Sequence, residues 1–138
     1  MKIQILNDIS DCIDGYNPVF LNDGDLNIDA PNNSISNILM IDVIEQIPYE
    51  NIDKIIKKIR TLLRINGSVT ITGIEVNCMC RDLINKNINC ATFNGILHNR
   101  KSIYDCSELA DKLNDVGIQV ERVTLKGSTY ELHAIRQN

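Results

Sequence analysis

Four consecutive apolar residues, Ile38-Leu39-Met40-Ile41, form the pattern of a strand buried on both faces of a sheet. After Pro48, Ile52, Ile55, Ile56, Ile59, Leu62 and Leu63 recur at helical spacing, which lays one aliphatic stripe along a helix of about four turns. The other side of that helix carries Asp53, Lys54, Lys57, Lys58, Arg60 and Arg64. It reads as a solvated face, with Asp53 four residues before Lys57 and cations near the C-terminus, where the helix dipole favours them. Asn66-Gly67 is the expected helix stop, and Ser68-Val69-Thr70-Ile71-Thr72 has the β-branched content of a strand. Strand, helix and strand in that order imply a right-handed crossover, so Ile38–Ile41 and Val69–Ile71 are expected side by side and parallel.

The rest of the chain continues the alternation. Residues 77–85 suit a short helix. Asp105-Cys106-Ser107-Glu108 has the layout of a capping box, with Tyr104 and Leu109 placed for a hydrophobic staple. Leu109, Leu113 and Val116 form the buried stripe of that helix, and Gly117 ends it. Ile118 to Leu125 and Thr129 to Ile135, joined by Lys126-Gly127-Ser128, read as an antiparallel hairpin. Toward the N-terminus, Ile3 to Leu6 and Val19 to Leu21 look like short strands among Asn- and Asp-rich loops, with no room for a full helix between Asp8 and Gly15.

Composition narrows the class. A length of 138 residues with 43% apolar and 23% charged content fits one domain spanning 1–138 with an ordinary core. Fourteen Lys plus Arg against eighteen Asp plus Glu leave a net charge of −4, which argues against a protein that wraps nucleic acid. With four Tyr, two Phe and no Trp, the chain has no aromatic platform for stacked bases. Apolar runs fall far short of the roughly 18 residues a membrane helix needs. The opening Met1-Lys2-Ile3-Gln4-Ile5-Leu6-Asn7-Asp8 meets acid too early for a signal peptide, so a cytoplasmic protein is expected. Cys12, Cys78, Cys80, Cys90 and Cys106 lack the spacing of a disulfide framework. Cys78-Met79-Cys80 with Cys90 and His98 is the one conceivable zinc set, but structural zinc uses wider gaps between paired ligands, and no metal is expected.

The stretch Ile38-Leu39-Met40-Ile41-Asp42-Val43-Ile44-Glu45-Gln46-Ile47-Pro48 and the helix-turn-strand from Ile59 through Asn66-Gly67 to Ile71 together resemble the class I S-adenosylmethionine-dependent methyltransferases. They are similar to that family's fourth strand with its Val-Leu-Glu-His-Ile-Pro segment and to its Leu-Lys-Pro-Gly-Gly turn before the fifth strand. Ser102 to Val120 is similar to the penultimate helix and the start of the C-terminal hairpin. The resemblance covers nearly the whole chain, as a small variant with a reduced N-terminal region. It implies a Rossmann-like α/β fold: a mostly parallel twisted sheet, helices on both faces and a C-terminal antiparallel hairpin.

The resemblance also implies S-adenosylmethionine as cofactor and points to the residues that would hold it. The loop at the family's glycine-rich turn is Leu6-Asn7-Asp8 here, with side chains where backbone N–H groups should approach the ligand. Phe20 takes the place of the ribose-binding carboxylate, for which Asp23 substitutes if its loop folds back, while Asp29 matches the acidic position on the adenine side. Asp42 and Glu45 lie just beyond the fourth strand, where a carboxylate can act as a general base or orient a nucleophile, or else simply serve as a loop acid and a helix N-terminal acid. His98 in a polar loop and His133 on a strand read as surface and sheet-face residues. Two functions follow. One is methyl transfer from S-adenosylmethionine to an oxygen or nitrogen nucleophile positioned near Asp42. The other is a catalytically silent binding or assembly module on the same scaffold, acting on a small molecule or a protein partner that no motif identifies. The side chains of Leu6, Asn7 and Asp8 predict a cofactor affinity no better than about 0.1 mM.

Overall fold

The computed structural model describes residues 1–7 and 11–138; the Asp8 part of the expected cofactor loop lies outside them. In chain order the elements are β1 (Lys2–Leu6), β2 (Asn17–Asn22), β3 (Asp25–Leu26), β4 (Ile35–Ile41), α1 (Ile52–Leu62), β5 (Leu63–Ile74), α2 (Val76–Ile84), α3 (Cys90–Leu97), α4 (Cys106–Asp115), β6 (Ile118–Lys126) and β7 (Thr129–Arg136). The strands form one seven-stranded sheet in the order β3-β2-β1-β4-β5-β7-β6. β1 runs parallel to β2 and β4, and β4 runs parallel to β5, while β3, β7 and β6 join antiparallel. The expected neighbours are paired, Ile38 with Val69 and Met40 with Ile71.

The crossover between them differs in one detail from the sequence reading. A 3-10 turn, Tyr49–Asn51, leads into α1, whose buried stripe is Ile52, Ile55, Ile56, Ile59 and Leu62. The helix stops at Leu62. Leu63 is already extended and fully buried in β5, where its carbonyl accepts from the Arg136 guanidinium. Asn66-Gly67 is therefore a bulge inside the strand, with Asn66 at φ +61° and a register shift opposite between Ile35 and Asn37. Glycine is required there, because a Cβ at 67 would lie 2.8 Å from the Arg64 carbonyl oxygen and 3.0 Å from that of Ile35.

Side-chain parity in the sheet fixes where the core sits. Ile3 and Ile5 of β1, Ile38 and Met40 of β4, Val69 and Ile71 of β5, and Leu132 and Ala134 of β7 point to one side and are buried in a single cluster. That cluster also contains the α1 stripe and Leu109 and Leu113 of α4, so these two helices share one face of the sheet. On the second face Asn37, Leu39, Ser68, Thr70, Thr72, His133 and Ile135 are only half-buried, and Ile41 is exposed. The run Ile38–Ile41 is consequently buried on one face, not two: Ile38 and Met40 are each 1% exposed, and Ile41 is 38% exposed.

Local signals account for the remaining elements. Asp105 caps α4 by accepting from the Ser107 N–H at 2.9 Å, and both staple residues, Tyr104 and Leu109, are buried. The box is only half made, since Glu108 accepts from the Tyr49 hydroxyl instead of reaching back. α2 covers residues 77–84 of the expected 77–85 segment, with Asn85 as its C-cap, and the β6–β7 hairpin turns through Gly127 at φ +61°. Two elements have no counterpart in the sequence reading. β3 follows the tight Asp23-Gly24 turn, in which both residues have positive φ. α3 is capped by Asn89, whose side chain accepts from the Thr92 N–H, and buries no residue fully. Among the described residues, no helix is long and apolar enough to cross a membrane.

Candidate functional site

From β1 the chain proceeds to β2 on one side, and from β4 to β5 on the other, so the strand order reverses between β1 and β4. In open α/β sheets ligands bind outside the C-terminal strand ends at such a point. Three segments meet this end: Leu6-Asn7 after β1, Asp42 to Gln46 after β4, and Ile74-Glu75 after β5.

The β1 end offers little to a ligand. Leu6 is buried, Asn7 is exposed, and neither position is a glycine. Asp23 sits exposed at the tip of the β2–β3 hairpin, and a Cβ on neighbouring Gly24 would come within 2.4 Å of Pro48 Cδ, so the tip is pressed against the segment after β4. The hairpin does fold back. Its result is a groove of about 700 Å3 along α1, lined by Asp23, Asp25, Lys54, Lys57, Lys58 and Thr61. Asp25 and Lys54 form an exposed ion pair in it at 3.0 Å.

Asp29 is elsewhere. Because β3 runs antiparallel to β2, the chain leaving Leu26 heads back toward the strands' N-terminal end. There Asp29 shares a groove with Met1, Asn17 and Pro18, and with Phe20, the residue at the expected ribose position. Leu6, Asn7, Asp23 and Asp29 are therefore not brought together around one cavity by the described residues. Among the described residues these positions do not form one cradle for the methionine, ribose and adenine parts of S-adenosylmethionine.

The β4 end is better built. Asp42 adopts φ +51°, held by its N–H donating to the carbonyl and hydroxyl oxygens of Thr72 at 3.2 and 3.1 Å, and its side chain is exposed. Glu45 lies in a 3-10 turn, Ile44–Gln46, and turns inward to only 3% exposure. Its Oε1 accepts from the Ile74 N–H at 2.8 Å, tying the β4 end to the β5 end, and its backbone oxygen accepts from the N–H groups of Lys101 and Ser102. Burial pushes the Glu45 carboxyl above the usual carboxylate range, the Ile74 N–H pulls it back, and the negative Asp42 adds to the rise. Asp42 and Glu45 thus sit at the same strand end, one facing water and one facing the core.

Sequence reasoning missed the groups around Glu45. Tyr130 and Tyr104 are buried there, and burial followed by the charge of Glu45 raises the Tyr130 phenol far above its ordinary value. Gly73 makes the close approach possible, since a Cβ on it would lie 2.9 Å from the Tyr130 hydroxyl and 3.0 Å from Glu45 Oε1. Glu75 is buried beside them and caps two helices: Oε2 accepts from the Cys78 N–H at 2.9 Å and Oε1 from the Cys106 N–H at 3.3 Å. The ligand atoms of Glu75, Asp105 and Cys106 fall within 4.8 Å of one another. Both Glu75 oxygens and Asp105 Oδ1 accept from helix N–H groups, and burial pushes the Cys106 thiol up, so in this structure the cluster serves as helix capping. It does not include Cys78, Cys80, Cys90 or His98. The sequence marked Tyr104 only as a staple residue before a cap and Tyr130 only as an early position of the hairpin's second strand.

Topology and crevice define an α/β protein with a Rossmann-like sheet. Solved structures to which it is similar include methyltransferases, and the chain has the class I S-adenosylmethionine-dependent methyltransferase fold. It is similar to a SAM-dependent methyltransferase from Aquifex aeolicus (TM-score 0.58, 15% identity), covering 89% of this chain and 56% of that one. A SAM-dependent methyltransferase from Thermotoga maritima, described as a possible histamine N-methyltransferase, matches with TM-score 0.63 and 12% identity over 89% of this chain and 65% of that one. One from Archaeoglobus fulgidus matches with TM-score 0.62 and 12% identity over 92% and 71%. The chain thus spans little more than half the length of the Aquifex protein. No family model matches the sequence, and no curated protein does.

Proposed function

We propose that this chain is a methyltransferase-fold binding module whose own residues do not form a self-sufficient S-adenosylmethionine site. One observation carries the reading: Asp29, the acid matched to the adenine side of the cofactor, lies at the N-terminal end of β1 and β2, while Leu6 and Asn7 lie at the C-terminal end. The side chains in place of the family's glycines support it, because they keep a ligand carboxylate away from the backbone N–H groups. Isothermal titration of the full chain with S-adenosylmethionine and its demethylated product tests it. The expected dissociation constant is weaker than about 0.1 mM, or about −5.5 kcal/mol. Low-micromolar binding would overturn the proposal. Binding that appears only on adding a second protein would place the rest of the cradle on that partner.

A second reading, methyl transfer to an oxygen or nitrogen nucleophile, is favoured by a different observation. Asp42 and Glu45 stand together at the β4 end, where alignment of a nucleophile is most of what the reaction asks of the protein. Release of the demethylated cofactor in the presence of candidate acceptors, lost in Asp42→Asn, would select this reading over the first.

A further inference from the structure

The covered side of the sheet contains three buried polar atoms without a hydrogen-bond partner among the described residues: Glu45 Oε2, the Tyr104 hydroxyl and the Tyr130 hydroxyl. Their residues are 3%, 1% and 2% exposed. An unpaired buried polar group costs about 1–3 kcal/mol, so three at one strand end call for a partner. The Tyr130 hydroxyl and the Glu45 carboxylate approach the same flank of Gly73, where a Cβ would lie 2.9 and 3.0 Å from them. Both tyrosines feel the negative charge of Glu45.

We infer that one water molecule is held beside Gly73, linking the Tyr130 hydroxyl to Glu45 Oε2, with the Tyr104 hydroxyl as its third neighbour. Donor and acceptor arithmetic selects the guest. Each phenol has a proton to give, and the free carboxylate oxygen needs one. Water has two lone pairs to accept from the phenols and a proton for Oε2, within the usual two to four partners of a buried water. An ammonium group would leave both phenol protons stranded. An anion would accept those protons and be repelled by Glu45. The water joins the end of β4 to β7 across β5 and complements the direct bond from the Ile74 N–H to Glu45 Oε1. In this role Glu45 is an internal anchor of the strand ends.

Water-to-protein nuclear Overhauser spectra of the full chain test the inference. The expected result is cross-peaks from a long-lived water to the Ile74 amide proton and the Gly73 α-protons. Gly73→Ala should abolish them, since its methyl would press on the Tyr130 hydroxyl and the Glu45 carboxylate that hold the water. Tyr130→Phe, which keeps the ring, should weaken them several-fold. Absence of the cross-peaks in the unmodified protein would overturn the inference whatever the variants do. So would a crystal structure with the Tyr130 hydroxyl bonded directly to Glu45 and no density between them.

Discussion

The two faces of the central sheet are made from the same strands and have opposite characters. On the helix side, Ile38, Val69 and Ala134 follow one another across β4, β5 and β7, each 1% exposed or less, and meet the isoleucines of α1. One position along, on the other side, the same strands present polar partners to one another. Asn37 donates to the Ser68 hydroxyl at 2.7 Å, Thr70 and His133 Nδ1 lie 3.1 Å apart, and Thr72 donates to the Asp42 carboxylate. Arg122 and Glu131 add an exposed ion pair at 3.7 Å. Parallel sheets are normally covered on both faces and built from continuous apolar strands. Here the second face of β4, β5 and β7 satisfies its polar groups laterally.

Connection lengths explain the asymmetry. The crossovers after β4 and β5 step the same way across the sheet, and their right-handedness puts α1 and α4 on one side. Helices on the other side would have to come from crossovers stepping the opposite way, from β1 outward. The β1–β2 connection has only residues 7–16, and β2 passes to β3 by a tight turn at Asp23-Gly24. A helical crossover needs a dozen or more residues. The same shortness moves Asp29, because β3 becomes the return arm of a hairpin and carries the chain away from the crevice.

Truncating the covered face should produce the largest loss. Ile59→Ala or Ile56→Ala, at positions 1% and 2% exposed, should cost about 2–5 kcal/mol in urea unfolding. A loss below about 0.5 kcal/mol, the level of surface substitutions, would mean that this face is not the core. Gly67→Ala comes next. Its methyl would press on two backbone oxygens that cannot swing aside, and overpacking of this kind costs about 1–3 kcal/mol. A neutral result would show that the β5 bulge is absent and that the helix runs on to Asn66-Gly67.

The covered face has one ionisable exception, Glu45. Its carboxyl stands above the usual range when folded, so in the interval between the ordinary and the raised value the folded state holds a proton that the unfolded chain gives up. That contribution is present below the ordinary glutamate range and is lost as pH rises through the raised value. Relative to Glu45→Gln, the unmodified protein should therefore lose stability between acid and neutral pH. Parallel urea midpoints across that interval would contradict the assignment.

Much of this architecture could be read from residues with a single structural meaning. The α1 stripe fits only an amphipathic helix, and Lys126-Gly127-Ser128 between two β-rich segments fits only a hairpin. Other positions had two meanings. Leu63 continues the helical spacing of Leu62 and Ile59, yet it starts a strand, because Ile35 pairs with it and its carbonyl binds Arg136 across the fold. Asn66-Gly67 reads as a helix stop and serves as a bulge, both of which use positive φ or a missing Cβ. α3 left no stripe to find, since none of its residues is fully buried. At the site, Asp42 and Glu45 could be located from the strand that precedes them. Tyr104, Tyr130 and Gly73 join Glu45 only through sheet pairing, a long-range fact that local pattern does not carry.

The smallest expected effect discriminates most sharply between the two faces. Thr70→Val keeps the shape and β-branching of the side chain and removes the hydroxyl next to His133 Nδ1. If the second face is in contact with water, the histidine nitrogen exchanges one partner for a water molecule. The change in unfolding free energy should then stay within about 0.5 kcal/mol. If another layer covers the face in solution, that nitrogen is stranded and the loss should rise to about 1–3 kcal/mol. The same measurement repeated over a range of protein concentrations separates cover by a second copy, whose contribution falls on dilution, from cover within the chain, whose contribution does not. A small, concentration-independent change is the expected outcome, because Asn37, Ser68, Thr70, Thr72 and His133 already pair with one another or with Asp42 and leave little for a covering layer to satisfy.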